Sequence, residues 1–161
     1  MGHLAMPSPV GHALGGIALG WHLVPRRNRH AALVLAGIAV APDLDLLVGD
    51  HRGISHSVGA AAVAGLIALA VTRNWRWGLA SAVAYASHVL FDWLSNDTRP
   101  PLGVMALGPF THDYYKASVE IFPPVSRRYW ESRFWLYNLR AVLAEIAILG
   151  PIVFLATWRR K

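Results

Sequence analysis

The sequence predicts an all-α fold: a bundle of five apolar helices, expected to be transmembrane, with a long polar-aromatic stretch between the fourth and the fifth. Three observations carry that prediction. Five segments are dominated by Ala, Leu, Val and Gly and are too long for strands. Only 15% of the 161 residues are charged and 55% are hydrophobic, against roughly 25% charged in an ordinary soluble domain. The basic residues form short clusters between the apolar segments and not one continuous patch.

The segments are residues 10–25, 31–49, 57–72, 77–94 and 141–158, all within one domain covering 1–161. Pro25 with Arg26 and Arg27 closes the first, and Arg73–Asn74 makes the turn after the third. Gly150–Pro151 is expected to kink the fifth. Residues 95–140 hold Tyr114, Tyr115, Tyr129, Trp130, Trp135, Tyr137 and five prolines, a composition for loops and short helices at a membrane interface. No Lys or Arg precedes the first apolar segment, so a signal peptide is not expected.

Charge placement separates a membrane bundle from a soluble one. No segment is a clean apolar run of ~20 residues, and four of the five contain His, Asp or Glu, which alone would suit a soluble helical core. If the helices alternate in direction, however, Arg26, Arg27, Arg29, Arg73, Arg76, Arg159, Arg160 and Lys161 share one face with no acidic residue. The other face takes eight of the nine acidic residues and the remaining seven basic ones, with Glu145 inside the fifth helix. That asymmetry fits a multi-pass membrane protein with its basic face in the cytoplasm. Clusters capping apolar helices do not make a nucleic-acid groove, so the net charge of +6 points to membrane lipid as partner.

With no cysteine, disulfides, thiol nucleophiles and Cys-based zinc sites are excluded, and any metal is held by nitrogen and oxygen. Seven ionisable residues interrupt the apolar pattern: His12, Asp43, Asp45, His51, His56, His88 and Asp92. A carboxylate or imidazole in an apolar helix is costly unless paired, hydrogen-bonded or metal-bound. Alternating helices bring all seven to the non-cytoplasmic end, and the i, i+4 spacing of His88 and Asp92 puts both on one face. Imidazole and carboxylate without thiolate suit one or two divalent ions, zinc first, with manganese or iron as alternatives. Such an ion lowers the pKa of water toward ~7, so the array suits hydrolysis. The competing assignments are a buried hydrogen-bonded pair for His88–Asp92, a turn role for Asp43 after Pro42, and partners that fix an imidazole tautomer for Asp45 and His51. Helix-terminus hydrogen bonding competes for His12.

His12, Pro42-Asp43-Leu44-Asp45, His51-Arg52-Gly53-Ile54-Ser55-His56-Ser57, and His88 with Asp92 together resemble the inner-membrane-associated metal-dependent hydrolases, whose pattern reads PDxD, HRGxTHS and HxxxD. Residues 97–103 and 108–110 also resemble that family, so the likeness covers about residues 8–125. Ser55 stands where the family has Thr and keeps the hydroxyl. More distantly, the order of motifs is similar to zinc-dependent phospholipase C, which adds a later HxxxE; here only Glu145 is present and residue 141 is Ala. The resemblance implies a helical membrane-associated protein with a metal site and hydrolase activity.

The expected substrate is a small-molecule or lipid phosphoester, reached from the bilayer. His12, Asp43, His51, His56, His88 and Asp92 are the expected metal ligands. Asp45 is expected to hold metal or act as the base, and Arg52 to steady the anion or remain a solvated loop charge. A non-enzymatic membrane protein with a structural or transport metal site is the alternative. His3, His22 and His30 are read as surface residues, Glu145 as a hydrogen-bonding partner of a neighbouring helix, and His112 with Asp113 as residues that could close over the site.

Overall fold

A computed structural model describes residues 4–25, 27–47, 51–97, 100–126 and 128–158. His3, Arg26, residues 48–50, Thr98, Arg99, Arg127 and residues 159–161 lie outside them, and with them part of the expected basic face. The chain folds as a helical bundle: α1 (Pro9–Gly20), α2 (Arg29–Val40), α3 (Val58–Thr72), α4 (Trp75–Trp93) and α5 (Phe134–Trp158). A two-residue antiparallel ladder joins β1 (Leu4–Ala5) to β2 (Val125–Ser126).

The helix starts are written in side chains. Ser8, Asn28, Ser57 and Asn74 each sit before a helix in extended backbone, and each accepts a hydrogen bond from an N–H of the first turn. Pro9 follows Ser8 where the first-turn N–H needs no partner. Pro42 shortens α2 relative to the expected 31–49 segment. It has no N–H to give to the Ile38 carbonyl four residues back, which takes the Ala41 N–H in its place, and the chain tightens into a 3-10 turn over Ala41–Leu47. At the other extreme, α5 starts seven residues before the expected 141 and continues through Pro151 without a break in assignment.

Helix α4 is the hub, packing against α1, α2 and α3, while α1 also packs against α2 and α5. Close approach depends on small residues. A Cβ at Gly16 would stand 2.4 Å from the Ala39 Cβ, and one at Gly15 would stand 2.1 Å from the Phe91 ring. Small residues at helix contacts are the usual means of tight packing where lipid is the solvent.

Much apolar surface faces outward: Leu33, Leu47, Leu66, Ile67, Val71, Leu143 and Phe154 are all exposed. Arg29–Leu47 and Phe134–Trp158 are long and apolar enough to cross a bilayer, and only 28% and 22% of them are buried inside the protein. Core helices of a soluble protein would be mostly buried. At 1.5 Å per residue, α5 spans ~37 Å and α1 only ~18 Å, against a hydrocarbon core of ~30 Å. Among the described residues five α-helices are present as expected, and α5 and α2 with its 3-10 extension have the length and composition to cross.

Candidate metal centre

Each polar interruption lies at one end of the bundle. His12 is in the first turn of α1, Asp43 in the 3-10 turn that extends α2, and His56 in the short 3-10 turn Ile54–His56 before α3. His88 and Asp92 lie in the last turns of α4. His12, His56 and His88 are 0% exposed and Asp92 1%. Arg27 meanwhile donates to the Trp21 and His22 carbonyls, and Arg76 to the Leu23 carbonyl, so both arginines sit at the opposite end of α1.

Five of the seven residues converge on one volume. Asp92 Oδ2 is 3.4 Å from His56 Nε2 and 3.3 Å from His88 Nε2, and Asp92 Oδ1 is 3.4 Å from His12 Nε2. Asp43 Oδ1 is 3.7 Å from His88 Nε2 and 3.9 Å from His56 Nε2. The His12 and His88 rings stack with centroids 3.7 Å apart. Most of these separations exceed a charge-assisted N–H···O bond, which runs ~2.7–2.9 Å. Ligand atoms on a tetrahedral shell of ~2.0–2.1 Å radius stand ~3.3–3.4 Å from one another. The spacing around Asp92 is thus one that the ligand atoms of an ion could have.

Hydrogen-bond accounting agrees. His12 Nδ1 and Nε2, Asp43 Oδ1, His56 Nε2, His88 Nε2 and both Asp92 oxygens are buried without any hydrogen-bond partner. Orphans of this kind are rare in native interiors and call for a ligand. Two of the far nitrogens are occupied. His88 Nδ1 donates to the Ala39 carbonyl at 2.7 Å, and His56 Nδ1 lies 3.1 Å from Asp45 Oδ2. The carbonyl fixes the proton of a neutral His88 on Nδ1 and leaves its Nε2 lone pair facing inward, the arrangement by which a second partner sets the tautomer of a metal-binding histidine. His12 with His88 and Asp92, and Asp43 with His56 and His88, each form a group able to hold an ion. Burial would lower the His56 imidazole, but Asp43 and Asp45 beside it and the charge of Asp92 push it up to about 9 in the metal-free protein.

Asp45 and His51 stand behind this set. Asp45 Oδ1 is 2.7 Å from His51 Nδ1, and its Oδ2 accepts from the Ser55 hydroxyl at 2.6 Å and the Arg52 N–H at 3.2 Å. His51 Nε2 meets the Met6 sulfur at 3.0 Å. Asp45, His51 and His56 form a third group with suitable spacing, but Asp45 and His51 already serve protein partners. Arg52 is not a solvated loop charge: it is 5% exposed and its guanidinium pairs with Asp97. With Asp97 also accepting from the Gly103 N–H, that pair ties the segment after α4 to the loop before α3. His112 and Asp113 are exposed and belong to none of the three groups.

Two further residues support the cluster. Glu145 is fully buried on α5 and accepts from the Ser8 N–H at 2.6 Å and from the Ser8 hydroxyl. It hydrogen-bonds a neighbouring helix as expected, and the partner is the cap of α1, four residues before His12. Ser55 is the other addition, joining Asp45 to His56 from within the His51–Ser57 motif. Asp97 and the Ala39 carbonyl carry no pattern that spacing could reveal.

Residues 6–160 match the family model described as YdjM inner membrane protein. The chain belongs to that family. It is also 29% identical over 183 residues to Inner membrane protein YbcI of Escherichia coli (strain K12), covering 97% of this chain and 100% of the relative. No solved structure matches. Membership in an inner membrane protein family accounts for the exposed leucines, isoleucines and phenylalanines as lipid-facing surface and corrects any reading of the bundle as a soluble one.

Proposed function

We propose that this inner membrane protein is a metal-dependent hydrolase of phosphoesters, with a lipid or lipid-linked phosphate as substrate. The observation that carries the proposal is the set of seven buried nitrogen and oxygen atoms on His12, Asp43, His56, His88 and Asp92 that have no hydrogen-bond partner. The donor set fits zinc, with manganese or iron next, and the two groups sharing His88 suit one or two ions. A divalent ion there would supply a nucleophilic water at neutral pH and charge to stabilise a phosphoryl oxygen.

The chain's own part is positioning. Asp43, His56, His88 and Asp92 would hold one ion, and a second would fall to His12 with Asp92. Asp45 orients His56 through Nδ1, and its other oxygen fixes His51, which places it as a positioning carboxylate in preference to a free base. Arg52 fastens the polar segment through Asp97, and two of its N–H groups, on Nε and Nη2, remain without partners. The bundle is a multi-pass one, with the metal end on the non-cytoplasmic side, supported by Arg27, Arg29, Arg73 and Arg76 at the opposite end.

Full burial of the three imidazoles favours a second reading, a closed structural metal site in a non-enzymatic membrane protein. Turnover separates the two. Zinc-loaded protein in nanodiscs is expected to release product from a phospholipid or lipid-linked phosphate, with the rate abolished in His88→Ala and on chelation. Metal bound at full stoichiometry with no product from any phosphoester supports the structural reading and defeats the hydrolase one.

A further inference from the structure

Glu145 is a carboxylate within an apolar helix, where burial is tolerated only with partners. The start of α1 supplies them. One Glu145 oxygen accepts from the Ser8 N–H at 2.6 Å and the other from the Ser8 hydroxyl. That hydroxyl itself accepts from the Gly11 N–H at 3.2 Å. Gly11 has no side chain to hold the carboxylate off: a Cβ there would stand 2.8 Å from Glu145 Cδ and from Oε2. One side chain of α5 thus grips both ends of the first turn of α1, at Ser8 and Gly11, and His12 is the next residue.

His12 depends on its backbone more than the other two imidazoles do. His88 Nδ1 is bonded to the Ala39 carbonyl and His56 Nδ1 lies beside Asp45, so each of those rings has a polar partner behind it. Neither nitrogen of His12 has a hydrogen-bond partner. The His88 and Phe91 rings pack against it, but apolar packing is not directional. The reach of His12 Nε2 toward Asp92 Oδ1, 3.4 Å away, is therefore set by the first turn of α1. The His12 N–H bonds to the Ser8 carbonyl at 3.1 Å, so a shift of Ser8 is carried to His12 through one hydrogen bond.

We propose, resting on the metal reading above, that Glu145 is the positioning residue for the second ion: by clamping the first turn of α1 to α5 it decides whether His12 and Asp92 hold that ion. The ion of Asp43, His56, His88 and Asp92 takes no ligand from α1 and is independent of the clamp. The test is a zinc titration of detergent-purified protein against a competing chelator, with bound zinc counted by elemental analysis. In Glu145→Ala the second zinc is expected to bind roughly 10–100-fold more weakly, the usual cost of removing a group that orients a ligand, with the first unchanged. Glu145→Gln keeps an acceptor for the Ser8 N–H and should show the same selective loss to a smaller extent. Added to His12→Ala, the Glu145 change should cost no further zinc.

Leu149→Ala separates positioning from a general loosening of α5. Leu149 is buried on the same helix against Phe91 and Phe122 and makes no hydrogen bond through its side chain, so this variant should lose thermal stability and keep both ions. Two zinc ions of unchanged affinity in Glu145→Ala and Glu145→Gln overturn the proposal and leave the metal centre standing. Equal weakening of the second zinc in Leu149→Ala overturns it as well, and so does a wild type that binds a single zinc, because His12 then has no ion of its own. Wild-type protein that takes up no zinc, manganese or iron defeats the metal centre itself and the clamp with it.

Discussion

The two ends of the bundle handle polarity in opposite ways. At the basic end, Arg27 and Arg76 satisfy carbonyls left open where α1 ends, and Arg29 and Arg73 are exposed. At the other end, three imidazoles and two carboxylates are buried with seven of their polar atoms lacking a hydrogen-bond partner. A solvated charge needs no explanation, whereas a buried acceptor without a donor does. The contrast sets a candidate metal centre at one end against exposed arginines at the other, within helices of similar Ala-Leu-Val-Gly composition.

The sharpest break in that contrast is Asp92→Ala. Because Asp92 touches His12 through one oxygen and His56 with His88 through the other, its loss is expected to abolish metal binding altogether. His12→Ala should remove at most one of two ions. Elemental analysis of the two variants distinguishes a shared carboxylate from separate sites.

Glu145→Ala comes next. Removing the carboxylate leaves the Ser8 N–H and hydroxyl unpartnered in the interior, at a cost of roughly 1–3 kcal/mol for each buried group so stranded. A lower thermal midpoint in detergent is expected, with a smaller drop for Glu145→Gln. No change in either would mean that α5 does not hold the α1 cap in place.

The pH dependence is a milder perturbation. Metal ligands must give up their protons, and the metal-free His56 imidazole keeps its proton up to about 9. The sign follows: uptake of metal at neutral pH should release protons, and affinity should fall as pH is lowered from 8 to 6. Equilibrium dialysis at the two values measures this, and equal affinity would remove His56 from the ligand set. The smallest effect expected is a gain. Gly37→Ala, with open space around it, should stabilise α2 by ~0.5–1 kcal/mol.

Much of this was legible in the residues. Five Ala-Leu-rich segments correspond to the five helices, and their alternation puts His12, Asp43, His56, His88 and Asp92 at one end, where the structure has them. Local composition misled at two boundaries. Phe134 to Arg140 is aromatic and polar, so it reads as loop, yet it winds as the first turns of α5; Pro42 ends the α-geometry of α2 inside an apolar run that reads as continuous helix. Long-range pairing was beyond sequence pattern. The Ser8–Glu145, Arg52–Asp97 and Ala39–His88 contacts join positions 137, 45 and 49 residues apart, and only packing sets such partners.

The central claim is that the buried His and Asp cluster holds metal. Its most direct test is elemental analysis of detergent-purified wild-type protein beside the His88→Ala, Asp92→Ala double variant. One or two zinc, manganese or iron ions per chain in the wild type, and none in the variant, is the predicted result. Wild-type protein that stays metal-free after equilibration with each of these ions would contradict the account, leaving the five side chains as an unmetallated polar core.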